Sequence, residues 1–198
     1  MARYTRAELE SYRGAELPDL VRPGVRLVFV GINPGLRTAA TQIHFGNPGN
    51  RFRPALVAAG LLDPPADGRA GMTEADLETL LTRHVGITNL VPFATARADE
   101  LTADQLRGGR VRLERFVGVH RPRVVAVLGI TAYRSAFGCR GAAPGRQPEG
   151  LDGADLWVVP NPSGLNAHES TASLAAAYAE PARAAGIALS ERPDMLGS

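Results

Sequence analysis

Four short apolar runs divide the chain and predict four buried strands. The runs are continuous rather than alternating, which is typical of strands covered on both faces. They lie at residues 25–30, 85–91, 124–129 and 156–160. Helical patterns stand between successive runs, and this alternation of strand and helix favours a parallel sheet. The predicted fold is therefore α/β, a three-layer α/β/α arrangement around a central, mostly parallel four-stranded sheet.

The clearest helix signal begins at Thr73. The sequence Thr73-Glu74-Ala75-Asp76 resembles a capping box, and leucines follow it at helical spacing. Further helices are predicted over 6–12, 53–61, 102–119, 131–137 and 171–185, and loops over 36–50, 62–72 and 138–153. We expect one domain over 25–187, with an N-terminal extension over 1–24 and a C-terminal tail over 188–198.

The composition is that of an ordinary globular protein and excludes several kinds of site. The 198 residues are 44% hydrophobic and 21% charged. No apolar stretch is long enough to span a membrane, and the first residues lack the apolar core of a signal peptide, so we expect a cytoplasmic protein. We also expect a monomer. The single cysteine, Cys139, excludes an internal disulfide, a multi-cysteine zinc site and a cysteine-ligated iron–sulfur cluster within one chain.

All 22 basic side chains are arginine, and the chain contains no lysine. A lysine imine therefore cannot form on a sugar or a carbonyl, and the N-terminal amine is the only other candidate for that chemistry. The net charge of +2 is too small to indicate nucleic acid by itself. Any reaction at a sugar is thus expected to proceed without a lysine-bound intermediate.

Two of the predicted strands end in similar turns. Gly31-Ile32-Asn33-Pro34-Gly35 follows the first strand, and Asn161-Pro162-Ser163-Gly164 follows the last. Each turn taken alone is simply a good turn sequence. In a parallel sheet, however, the carboxyl ends of the strands meet at one edge, where α/β proteins bind ligands. The pair therefore predicts one crevice flanked by Asn33 and Asn161.

Longer segments around these turns resemble the mismatch-specific uracil-DNA glycosylases, the bacterial branch related to thymine-DNA glycosylase. Residues 31–36, Phe45 and residues 47–52 resemble that family's first motif, and residues 161–168 resemble its second. The intervening segments 86–91, 140–142 and 145–147 also match. The similarity extends in the correct order over residues 25–178.

This resemblance implies a monofunctional DNA glycosylase. It would hydrolyse the N-glycosidic bond of uracil mispaired with guanine in double-stranded DNA and leave an abasic site, with thymine and exocyclic cytosine adducts as further candidate substrates. Asn33 would hold the water that attacks the sugar, and Phe45 would stack on the flipped base. Gly164 and Leu165 would enter the base stack as a wedge. The family implies no metal and no cofactor.

The resemblance also assigns supporting residues. The residues implied at the base pocket are Gly31, Ile32, His44, Phe45 and Asn89. Those implied in DNA binding and intercalation are Asn161, Pro162, Ser163, Gly164, Leu165, Asn166, His168 and Arg146. The chain differs from some relatives at Asn89, where they have a lysine, at Ala167, where they have an arginine, and at Asp99, where they have an asparagine; Arg53 stands where a tryptophan is frequent.

Two interpretations remain open for several residues in or near the predicted crevice. Asp99 is either a second catalytic group or an ordinary acid at the start of the next helix. His44 either touches the base or a phosphate, or is an exposed loop histidine. Arg51, Arg140 and Arg146 either reach DNA phosphates or are solvated loop arginines. The predicted helix over 102–119 carries arginines that we expect to form a solvated face: Arg107, Arg110, Arg112 and Arg115.

Two other functions compete with that of a glycosylase. A DNA-binding module that recognises a damaged or mismatched base without cutting would share the motifs and lack the chemistry. A nucleotide-binding α/β protein would share the fold. The chain has no glycine-rich loop of the kind that cradles phosphates, which disfavours this second alternative.

Overall fold

A five-stranded sheet forms the centre of the protein. The computed structural model describes residues 4–65, 71–164 and 169–190. Its strands are β1 (Leu27–Gly31), β2 (Val85–Asn89), β3 (Val124–Leu128), β4 (Gly145–Arg146) and β5 (Asp155–Val159), in the order β2-β1-β3-β5-β4. The four strands predicted from apolar runs are parallel to one another, which confirms the predicted sheet.

The predicted count of four strands is wrong, because β4 adds an antiparallel edge strand beside β5. This strand is only two residues long and lies in the stretch over 138–153 that was predicted to be a loop. One of its residues is glycine and the other is exposed Arg146, so no apolar run indicates it.

Seven α-helices occur in the described residues: α1 (Arg6–Glu10), α2 (Leu36–Thr41), α3 (Phe52–Ala58), α4 (Glu74–Thr82), α5 (Ala103–His120), α6 (Ile130–Phe137) and α7 (Thr171–Ala184). A short 3-10 helix, Ala98–Glu100, precedes α5. The capping box before α4 is confirmed, because Thr73 and Asp76 each accept a hydrogen bond from the other's backbone N–H. None of these helices is both long and apolar enough to span a membrane.

Helix α2 corrects the prediction of a continuous loop over 36–50. Its six residues are too few to show a periodic apolar pattern, and so short a helix is unstable in isolation. It is held by tertiary packing, because it lies against α1 and buries Thr38 and Ala39.

Two hydrophobic cores lie on opposite faces of the sheet and confirm the three-layer arrangement. Leu27 and Phe29 of β1 face a core shared with α3, α4 and α7. Val28 and Val30 face a second core shared with α5 and α6. Successive strand residues thus alternate between two buried layers, which explains why the run is apolar at every position.

The N-terminal segment packs along the open edge of β2. Leu20 and Ile87 exchange two backbone hydrogen bonds of 2.8 Å, and Leu17 N–H donates to the Pro92 carbonyl at 3.1 Å. Farther along, the Ala94 N–H donates to the Ala15 carbonyl at 2.9 Å. The segment therefore covers the edge of the sheet and continues beside the loop that follows β2.

Candidate functional site

A cleft opens where the four parallel strands end. It has a volume of about 360 Å³. Gly31, Asn89 and Leu128, which end β1, β2 and β3, all line it. The turn after β1 contributes Asn33, and the turn after β5 contributes Asn161 and Ser163. The structure thus brings the two sequence-predicted turns to one crevice. The other lining residues include Leu9, Ile32, Leu36, Thr38, His44, Phe45, Asn47, Thr95 and Arg97.

The side-chain amide of Asn33 is held in one orientation. Its Nδ2 donates to Thr95 Oγ1 at 2.7 Å, to the Pro34 carbonyl at 3.1 Å and to the Phe93 carbonyl at 3.3 Å. The Thr95 hydroxyl donates its single hydrogen to the Arg97 carbonyl at 2.7 Å. Its oxygen must therefore act as the acceptor of the hydrogen bond from Asn33. Within the described residues Oδ1 accepts no hydrogen bond, and this oxygen is therefore available to the cleft.

Sequence reasoning missed Thr95. It lies in the loop after β2 without any motif around it, and it is 7% exposed. The parallel pairing of β1 with β2 continues beyond both strands as a bridge between Gly35 and Thr95. This tertiary pairing brings Thr95 next to Asn33. Thr95 could therefore have been identified only by predicting that the loops after β1 and β2 pair with each other.

Gly31, Asn89 and Phe45 together form the floor of the cleft. A Cβ atom added to Gly31 would lie 2.4 Å from Asn89 Oδ1 and 3.4 Å from Phe45 Cζ, so the close approach of the amide requires glycine. Asn89 is 5% exposed, and its amide has no hydrogen-bond partner in the described part of the chain. Phe45 has a left-handed φ of 53°, and its ring lies 4.1 Å from that of Phe52. An amide and an aromatic ring therefore both lie close to Gly31 at the end of β1.

Arg112 supports the end of β2 from behind. Its Nη2 donates to both carboxylate oxygens of Asp19 at 2.8 and 2.7 Å, and its Nη1 donates to the Asn89 carbonyl at 2.8 Å. The expectation that Arg112 belongs to a solvated face is wrong, because it is part-buried and bound to the N-terminal segment. The acceptor is the carboxylate of Asp19 in the N-terminal segment, and the residue pattern of the helix alone does not indicate this partner.

His44 is buried at the wall of the cleft, so the expectation of an exposed loop histidine is wrong. It is 4% exposed. Its Nε2 lies 2.9 Å from the Pro18 carbonyl and must carry a proton, because a carbonyl can only accept. Burial lowers the pKa of His44 below its ordinary value, against the opposing effects of the Pro18 carbonyl and Asp19. The imidazole of His44 is therefore neutral, and its hydrogen bond to Pro18 holds it at the side of the cleft.

The turn after β5 is ordered by its own asparagine and by contacts with the loop before α3. Asn161 Oδ1 accepts a hydrogen bond from Ser163 N–H at 2.9 Å. The Pro162 carbonyl accepts from the backbone N–H of Arg51 at 3.0 Å. Gly164 lies against the backbone of Gly49. Three residues implied by the second motif, together with Ala167, lie outside the described residues: Leu165, Asn166 and His168.

Asp99 and Arg146 do not line the cleft. The Asp99 carboxylate binds Arg97 at 2.5 Å, and its side chain is 63% exposed. It follows directly on the cleft-lining stretch 95–98. Arg146 on β4 binds Asp155 at 2.6 Å and is also exposed. The roles of both residues stay predictions.

Arg53 forms a buried ion pair behind the site. Its Nε and Nη2 donate to the two carboxylate oxygens of Asp76 at 2.7 and 3.0 Å. Burial acts to raise the pKa of Asp76, but hydrogen bonds from Arg53 and Thr73 outweigh it and lower the pKa. Arg53 thus joins α3 to α4, and the arginine in place of a tryptophan serves packing at this position.

Two comparisons relate the chain to known proteins. A family model described as the Uracil DNA glycosylase superfamily matches residues 18–182. The solution NMR structure of a candidate uracil DNA glycosylase from Methanosarcina acetivorans has a similar fold, with a TM-score of 0.54 and 19% sequence identity. The match covers 85% of this chain and 97% of that chain. At this level of identity the likeness is evidence of the fold alone.

Proposed function

The chain belongs to the uracil DNA glycosylase superfamily, whose members are hydrolytic glycosylases, and on that premise we propose its substrate and mechanism. The proposed substrate is uracil mispaired with guanine in double-stranded DNA. The proposed reaction is monofunctional hydrolysis of the N-glycosidic bond, which leaves an abasic site. The observation that carries the proposal is the cleft-lining Asn33 amide, whose Nδ2 is held by Thr95 and whose Oδ1 accepts no hydrogen bond from the described residues.

The proposed chemistry needs a held water rather than a strong base. N-glycosidic cleavage can proceed through a cationic, oxocarbenium-like sugar, which a positioned water then attacks. Asn33 Oδ1 would accept a hydrogen bond from that water and so direct a lone pair of the water oxygen at the sugar C1′. An amide cannot deprotonate water, so the base would leave largely before the water adds. Because the chain has no lysine, hydrolysis without a lysine imine is the chemistry its side chains support.

The floor of the cleft suits a flipped pyrimidine. Asn89 Nδ2 can donate to uracil O4 while Oδ1 accepts from uracil N3–H, and the Phe45 ring offers a face for stacking. Extruding a base costs a few kcal/mol, and less for a mismatched pair. A G·U pair is therefore favoured before any chemistry occurs. Thymine and exocyclic cytosine adducts opposite guanine belong to the same proposal.

The remaining site assignments concern DNA and a second catalytic group. The turn at 161–164 lies beside the cleft, which supports Gly164 and Leu165 as the proposed wedge. Arg146 is proposed to meet a phosphate. Asp99 is proposed as an auxiliary group, because it follows the cleft-lining residues of its loop. A monomer acting on DNA in the cytoplasm completes the proposal.

Excision assays on four substrates test this function. Labelled duplexes with U·G, T·G or U·A and a single strand with uracil are incubated with the protein, then treated with alkali to cut abasic sites. We expect cleavage of the U·G duplex first. Specific binding of the U·G duplex without cleavage of any substrate would instead support a damage-recognition module. Preference for single-stranded uracil would contradict the mismatch assignment.

A further inference from the structure

One arginine connects the loop before α3 to both described ends of the loop after β5. The guanidinium of part-buried Arg51 donates through Nη2 to the Ser163 carbonyl at 2.9 Å and through Nη1 to the Glu169 carbonyl. Its backbone N–H donates to the Pro162 carbonyl at 3.0 Å. A single residue thus contacts three carbonyls that span residues 162–169.

These carbonyls explain why arginine occupies this position. Carbonyl oxygens only accept hydrogen bonds, and a guanidinium offers five N–H donors in one rigid plane. A lysine ammonium is a compact point charge on a flexible stem and lacks this planar spread of donors. The two side-chain bonds of Arg51 therefore depend on the geometry of the guanidinium as well as on its charge.

Close backbone packing surrounds the same junction. A Cβ atom added to Gly164 would lie 2.6 Å from the Gly49 carbonyl oxygen, so the two loops touch through their main chains. On the other side, the Tyr178 hydroxyl donates to the Pro160 carbonyl at 2.9 Å and fixes the start of the loop. Arg51 holds the part of the loop beyond that anchor, including Ser163 at the wall of the cleft.

We propose that Arg51 is a positioning residue that holds the loop after β5 in register with the cleft, and that it does not bind a DNA phosphate. The inference rests on the proposed function for its effect on excision, but the contacts that carry it are independent of the reaction. Loss of Arg51 should misplace the DNA-facing turn and slow base excision. It should leave the number of neutralised phosphates unchanged.

Salt dependence separates the two roles of such an arginine. The logarithm of duplex affinity falls with the logarithm of salt concentration, with a slope of about 0.9 for each neutralised phosphate. A phosphate-binding arginine lowers that slope by about one when it is removed. A positioning residue leaves the slope unchanged while the catalytic step slows.

The experiment compares Arg51→Met and Arg51→Lys with Arg115→Met, a matched control on the exposed face of α5. Hydrogen exchange over residues 161–170 is measured together with single-turnover excision and the salt dependence of binding to a U·G duplex. We expect faster exchange in both Arg51 variants, excision slowed roughly tenfold or more in Arg51→Met, and an unchanged salt slope. Arg115→Met should match the wild type in exchange and excision.

Two results would overturn the inference. One is a salt slope lowered by about one with unchanged exchange, which would make Arg51 a phosphate contact. The other is full recovery of exchange and excision in Arg51→Lys, which would show that charge alone suffices. If Arg51→Met fails to fold, hydrogen exchange and excision in Arg51→Lys decide: faster exchange with slower excision supports the inference, and wild-type values of both overturn it. Hydrogen exchange also separates this inference from the proposed function, because it reads the loop even if the wild-type protein excises no base.

Discussion

Replacing Thr95 with valine tests how Asn33 is oriented. Valine has nearly the shape of threonine but lacks the hydroxyl, so the substitution removes the 2.7 Å bond from Asn33 Nδ2 and the 2.7 Å bond to the Arg97 carbonyl. The Pro34 and Phe93 carbonyls still accept from Nδ2, at 3.1 and 3.3 Å. The amide therefore keeps part of its anchorage, and we expect a partial rather than a complete loss of excision.

The size of the loss follows from these bonds. A typical hydrogen bond contributes about 0.5–1.5 kcal/mol net, and the hydroxyl of Thr95 takes part in two. If the loss of these hydrogen bonds raises the activation free energy of excision by about 1–2 kcal/mol, because Asn33 orients the attacking water less well, the rate constant of excision falls about 5- to 30-fold. Thr95→Ser keeps the hydroxyl, so its rate should stay close to that of the wild type.

Single-turnover excision from a U·G duplex measures this effect, and a double-mutant cycle with Asn33→Ala sharpens it. Once Asn33 is removed, Thr95→Val has nothing left to orient and should slow the reaction no further. Wild-type rates in Thr95→Val would show that the Thr95 hydroxyl does not orient Asn33. So would additive losses in the double variant, because they would assign Thr95 a role independent of Asn33.

Three further predictions concern the surroundings of the cleft. Asp76→Asn removes the carboxylate of the buried Arg53–Asp76 ion pair and should lower the free energy of unfolding by about 1.5–3 kcal/mol, the range for a hydrogen bond to a charged group, measured by urea denaturation. Folding lowers the pKa of Asp76, so the stability that the ionised carboxylate adds is complete above the ordinary pKa of 3.8 and is lost as pH falls through the lower folded pKa. The free energy of unfolding of Asp76→Asn should therefore depend less on pH in that acid range than the wild-type value does. Equal pH dependence of the two proteins would contradict this role of Asp76. Asn89→Leu should reduce uracil excision about 10- to 100-fold with little change in melting temperature, because the proposed function assigns the Asn89 amide to uracil; unchanged excision would remove Asn89 from base recognition. Asp99→Ala should lower excision by less than Asn33→Ala, since Arg97 holds its carboxylate, and a wild-type rate would exclude an auxiliary role.

The architecture was largely predictable because each main element has a local signal. Continuous apolar runs indicate strands buried on both faces, and the capping box at Thr73 marks the start of a helix. Strand β4 and helix α2 have no such signal. They are two and six residues long, and tertiary contacts rather than intrinsic preference stabilise them.

The site was only partly predictable. The turns after β1 and β5 could be placed at one edge, because parallel strands carry their carboxyl ends there. Thr95 and Asp19 could not be found, since Thr95 meets Asn33 through the pairing of two loops and Asp19 meets Arg112 on the distant helix α5. The arginines show the same limit. Arg51, Arg53 and Arg112 are bound to acceptors while Arg115 is exposed, and a single sequence does not show which arginine meets an acceptor.

In the proposed mechanism, Asn33 presents a fixed amide oxygen to the attacking water. The decisive measurement is single-turnover excision of uracil from a U·G duplex by Asn33→Ala, with duplex affinity and melting temperature measured on the same preparation. We predict excision slowed about 10²- to 10³-fold, as when a preorganised polar group is removed from an active site, with affinity and melting temperature retained. Excision by Asn33→Ala at the wild-type rate would show that Asn33 does not hold the attacking water.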